Sequence, residues 1–172
     1  YKWDEDGKLV AKVYVAEVSS GAKFETLAEA FDAAAATDTV TLLADCELNT
    51  QYALTKNITL ELNGKTLSKD VAKSADGKNK MIIVQGGATL TVDGSVEGST
   101  VKGGLYAGVS ATSFGTIVAN GGSYYPAEGK DDCAFQSNGN AQSGAGNTIT
   151  ITDAAIYSAN DIAVYLAGAG TY

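Results

Sequence analysis

Thr116-Ile117-Val118-Ala119-Asn120-Gly121-Gly122-Ser123-Tyr124-Tyr125 returns thirty-two residues on as Thr148-Ile149-Thr150-Ile151-Thr152-Asp153-Ala154-Ala155-Ile156-Tyr157. A shorter phrase, Thr59-Leu60-Glu61-Leu62-Asn63-Gly64, returns thirty residues on as Thr89-Leu90-Thr91-Val92-Asp93-Gly94. Each copy alternates an apolar residue with Thr or another small or polar residue, then breaks at Asn, Asp or Gly. That is a period-2 strand ending in a turn. No helical periodicity separates the copies. Repeats of this length built from short strands predict an all-β solenoid, in which each coil stacks on the one before.

Composition sets the outer limits. The chain has 172 residues and a hydrophobic fraction of 45%, enough for one domain with its own core. Twenty Gly and a single Pro, Pro126, fit tight turns. No apolar run approaches the roughly 20 residues of a membrane span, so no membrane insertion is expected. Without a signal segment, and with abrupt ends, the chain reads as a piece of a larger multi-domain protein. Its net charge of −8 disfavours nucleic acid, which needs a basic face. All twelve basic residues are Lys, with no Arg and no His. The usual general base and the bidentate anion clamp are therefore missing. Cys46 and Cys133 lie about four coils apart at ~22 residues per coil. At ~4.8 Å per coil they sit roughly 19 Å apart, beyond the ~7 Å reach of a disulfide. Two separate thiols are expected, with a pairing through a long loop left open.

Along the chain, residues 9–18 read as an opening strand. Thr26 and Glu29 form a capping box, and Leu27, Ala30, Phe31 and Ala34 follow at i, i+3, i+4, i+7, the stripe of an amphipathic helix. A helix over about 26–36 suits the open end of a solenoid, whose first strand would otherwise template edge-to-edge association. Strands are then expected at 39–43, 57–62, 65–67, 81–84, 89–92, 99–102, 116–119, 148–152 and 162–166. Their inward residues run from Val40, Leu42, Ile58, Leu60 and Leu62 through Leu90, Val92, Val101 and Ile117 to Ile151, Ile156, Val164 and Leu166. Two stretches, 69–80 and 124–146, break the rhythm. Loops that interrupt a regular solenoid are the expected place for binding.

The helix run Phe24-Glu25-Thr26-Leu27-Ala28-Glu29-Ala30-Phe31, then Thr39-Val40-Thr41-Leu42-Leu43-Ala44-Asp45 and Ile58-Thr59-Leu60-Glu61-Leu62-Asn63-Gly64-Lys65-Thr66-Leu67, resembles a recurring opening in bacterial surface proteins. Gly121-Gly122-Ser123-Tyr124 and Ala163-Val164-Tyr165-Leu166-Ala167-Gly168 resemble repeats that follow it there. The resemblance covers about residues 20–172. It implies a right-handed parallel β-helix with an N-terminal capping α-helix: one domain over 1–172, with strand and cap at 9–36 and coils at 38–172. Relatives of this kind are large wall-attached or secreted proteins of Gram-positive gut commensals, many of them adhesins, some binding host proteins including immunoglobulins. An extracellular location at the cell surface is implied by the resemblance alone.

Parallel β-helices also carry pectate lyases and polygalacturonases, whose sites use Arg, His and clustered Asp. This chain lacks the first two. A glycosidase needs only two carboxylates about 5–10 Å apart, so a polysaccharide-acting enzyme stays open as the alternative, as does a purely structural stalk. Asp93 and Asp153 read as turn residues that satisfy backbone, and Glu61 as solvent-facing. Glu128, Asp131 and Asp132 supply hard oxygen ligands within five residues and are the candidate Ca²⁺ site, without the spacing of an EF-hand; otherwise no cofactor is expected. Nine tyrosines stand against four Phe and one Trp. Tyr125 and Tyr157 occupy equivalent repeat positions and predict an aromatic column. Stacked Thr rows would suit an ice-binding face, but the Thr positions read as irregular. The binding candidates are Tyr124 and Tyr125, which open the second loop, and Asp76, Lys78 and Lys80 in the first. These amount to a non-catalytic adhesion or binding module, a monomer, recognising a host protein (immunoglobulin a candidate) or a surface glycan.

Overall fold

In the computed structural model, residues 1–3, 5–74, 80–111, 113–127, 133–137, 146–158, 162–167 and 170–171 are described. The period-2 pattern does form strands, and from Thr39 onward they fall into three sheets of parallel strands, apart from one antiparallel pair, Val109–Ser110 with Ser113–Phe114. The chain visits the sheets in a fixed order. Thr39–Leu42 lies in the first sheet, Cys46–Glu47 in the second and Tyr52–Leu54 in the third. Ile58–Glu61, Thr66–Ser68 and Lys80–Val84 repeat the round, as do Thr89–Gly94, Thr100–Lys102 and Gly104–Ala107. Thr116–Gly121, Ser123–Tyr125 and Phe135–Ser137 follow, then Asn147–Thr152, Ala155–Ile156 and Val164–Tyr165. Gly170–Thr171 returns to the first sheet.

Register explains the alternation. In the first sheet Val40, Leu60, Val92 and Ala119 stand opposite one another and are buried, while Thr39, Thr59 and Thr91 face out. Thr116 pairs with Thr148, as the repeated phrase predicts. The earlier phrase pairs differently: Thr59 meets Thr91, not Thr89, so the strands are offset by thirty-two residues instead of thirty. A shift of two preserves which side chains face the core. Thirteen of the seventeen expected inward residues, Val40 through Ile149, are buried. Ile151, Ile156 and Val164 are half-buried, and Leu166 is 45% exposed. Leu166 lies just past the edge strand Val164–Tyr165, with no third-sheet strand on the far side among the described residues.

The opening strand of residues 9–18 is split into Leu9–Val10, paired with Lys2–Trp3, and Ala16–Val18. Ala16–Val18 runs antiparallel to both Thr39–Leu42 and Lys23–Phe24 and so closes the parallel ladder. Helix α1 spans Leu27–Ala33, shorter than expected because Ala34 is already extended. Its capping box is formed: the Thr26 hydroxyl accepts the Glu29 N–H and the Glu29 carboxylate accepts the Thr26 N–H, both at 3.2 Å. Leu27, Ala30 and Phe31 are buried among the core residues. The helix C-terminus is held by the next round: Lys56 donates to the carbonyls of Asp32 and Ala34, and the Tyr52 hydroxyl donates to the Asp32 carboxylate at 2.7 Å. A cation on the last carbonyls also complements the helix dipole. Neither Cys46 nor Cys133 is in a disulfide.

Candidate functional site

Tyr124 is not a surface residue. It is fully buried, opposite Val101 and Ile156 on the inward row of the second sheet, and its ring tilts against Phe135 at 4.9 Å. The alternation that sends Val101 inward sends Tyr124 inward too, which corrects its reading as a binding residue. Burial, then the charge of Asp93, pushes its phenol well above the usual range. Lys80 belongs to the strand Lys80–Val84 and is half-buried; its carbonyl accepts the Gln51 amide. Asp76, Lys78, Glu128, Asp131 and Asp132 lie outside the described residues. Among the described residues no three His, Cys, Asp or Glu side chains come together to hold a metal.

Tyr125 does face outward. Parallel pairing of Ser123–Tyr125 with Ala155–Ile156 brings it over Tyr157, with centroids 4.3 Å apart and planes within 2°. The same register sets Lys102 beside Tyr125, Ser68 beside Lys102 and Glu47 beside Ser68. Five strands therefore display one outward row, Glu47–Ser68–Lys102–Tyr125–Tyr157, about 19 Å long at the ~4.8 Å strand spacing. Lys73 extends it, reaching Glu47 at 3.1 Å and Asp70 at 3.4 Å. The Glu47 carboxyl is held below its ordinary range by its hydrogen bonds from Asn49 and Lys73.

Beside this row lies an open groove of about 570 Å³ lined by Glu25, Thr26, Asp45, Cys46, Ser68 and Lys102 among others. Its chemistry is quiet. Burial, then the Asp45 charge, pushes the Cys46 thiol up to about 12, so it is not a thiolate at neutral pH. Lys2 and Lys12 hydrogen-bond the Glu25 carboxyl and hold it low.

Two carboxylates do share a face: Glu61 and Asp93 are opposite each other on adjacent strands of the first sheet. Glu61 is half-buried and accepts the Thr41 hydroxyl at 2.8 Å, so it is not simply solvent-facing. Asp93 accepts the Ser95 N–H at 2.9 Å, the turn role expected of it, and the Ser95 hydroxyl and backbone hold its carboxyl low. A glycosidase pair needs one carboxyl raised to act as acid. Asp153 takes the left-handed conformation itself, with φ 52°. The Thr residues prove more orderly than they read: Thr89, Thr116, Thr148 and Thr171 form one row, and Thr39, Thr59, Thr91 and Thr150 another, broken by Val118.

No protein family, curated protein or solved structure matches this chain.

Proposed function

We propose that the three parallel sheets are the faces of a right-handed parallel β-helix, that α1 caps its N-terminal end, and that the domain is a non-catalytic binding or adhesion module of a bacterial surface or secreted protein. The observation that carries the binding reading is the outward row from Glu47 to Tyr157. It is a flat, chemically mixed strip with two tyrosines and charges of both signs. Tyr and charged groups on a rigid scaffold are the currency of protein interfaces.

Each of Tyr125 and Tyr157 covers one face of the other, and the pair presents edges and hydroxyls along the strip, which suit a protein surface and a sugar alike. A host protein, with immunoglobulin the candidate, is the first partner to test and a surface glycan the second.

Binding of the purified domain to immobilised serum immunoglobulin and to mucin glycans tests the reading. The expected result is retention on the protein surface, reduced at least about tenfold by Lys102→Glu, since reversing a charge inside an interface costs more than about 1.4 kcal/mol. Unchanged circular dichroism confirms that the variant folds. Binding indifferent to Lys102→Glu moves the site off this strip, and no retention on either surface favours the stalk.

A further inference from the structure

The stacked pair Tyr125–Tyr157 holds a chemical possibility that needs no partner. Its rings are parallel, with centroids 4.3 Å apart and planes within 2°. One face of each ring therefore lies against the other ring. Tyr157 is 45% exposed and Tyr125 half-buried, so a small oxidant reaches them. Among the described residues this is the one tyrosine–tyrosine ring contact; Tyr124 packs on Phe135 and Tyr52 on Phe31.

We propose that Tyr125 and Tyr157 are an oxidative cross-linking site, joined as dityrosine by a peroxide-driven haem peroxidase. Each phenol gives one electron to the oxidant and one proton to water. The two phenoxyl radicals pair at their ortho carbons and form one C–C bond. The hydrogens on those carbons then shift to the oxygens, which restores both phenols. The two electrons, with two protons, reduce one peroxide to two waters. The rings are already together, so coupling is a unimolecular event between preorganised groups. Its product ties the edge strand Ala155–Ile156 covalently to Ser123–Tyr125.

Dilute full-length chain is treated with hydrogen peroxide and a haem peroxidase, and followed by dityrosine fluorescence and intact mass. The expected product is a monomer lighter by two hydrogen atoms. Trypsin, cutting after Lys102 and Lys130, separates the two tyrosines in untreated protein and leaves their peptides joined after treatment. Tyr125→Phe and Tyr157→Phe keep a stacked ring and so keep the fold, checked by circular dichroism. Each is expected to slow monomer cross-linking by at least about tenfold, since the preorganised partner is lost. Cross-linking that persists in either variant, joins other tyrosines, or yields only covalent dimers would overturn the proposal.

Discussion

Tyr124 shows how one side chain is decided by its neighbours more than by its type. An aromatic with a polar tip, placed just before Tyr125 and Pro126, reads as a surface residue. Its repeat counterpart is Ile156, and its other neighbour across the ladder is Val101, so the core claims it. Its hydroxyl has no hydrogen-bond partner among the described residues. An unpaired buried hydroxyl costs about 1–3 kcal/mol. Tyr124→Phe is therefore expected to leave stability unchanged or raise it by ~1 kcal/mol, while Tyr124→Ala loses about 3–5 kcal/mol by opening a cavity beside Phe135. Urea unfolding of both variants checks this; a Phe variant clearly weaker than the parent would mean that the hydroxyl is satisfied.

At the scale of elements, the capping box of α1 was readable because its two residues sit at a fixed spacing and answer each other. Thr26→Ala removes the acceptor of the Glu29 N–H and is expected to cost about 1 kcal/mol, measurable as a lower urea midpoint with an unchanged slope. The long first-sheet strands were equally legible, each having four to six residues over which alternation can register. The second and third sheets were legible only in part: Thr66–Ser68, Lys80–Val84, Thr100–Lys102 and Val164–Tyr165 answer to expected strands, and the others do not. Cys46–Glu47 and Ala155–Ile156 have two residues each, too few to show a period, and Tyr52–Leu54, Gly104–Ala107 and Phe135–Ser137 went unread. Cys46–Glu47 carries Glu47, and Ser68 lies one residue past the expected strand at 65–67, so the outward row around Tyr125 emerged only from the register. The Tyr125–Tyr157 pairing itself was legible, since both copies of the repeated phrase end on it.

For the molecule as a whole, folding moves several titratable groups the same way. Burial lifts the Cys46 thiol from 9.0 to about 12, and lifts the Tyr52 and Tyr124 phenols above their ordinary 10.0. All three are acids whose neutral form the fold prefers. Their contribution is complete below about pH 9 and is lost as pH climbs from there through 12, because the unfolded chain gives up its protons first. Unfolding free energy measured by denaturant from pH 7 to 11 should fall above pH 9, and Cys46→Ala should lessen the fall between 9 and 10. A curve that stays level to pH 11 would mean these groups are more hydrated than their positions indicate. The unequal rounds carry a last consequence. Between the second and third sheets the chain spends the single residue Gly103 in one round and residues 69–79 in another, while the strands on either side stay parallel, with one register shift between Lys80 and Ile82. Closing a longer loop adds only about 0.6 kcal/mol for each doubling of its length. That corner is thus the place where an inserted peptide of about a dozen residues should cost the fold least.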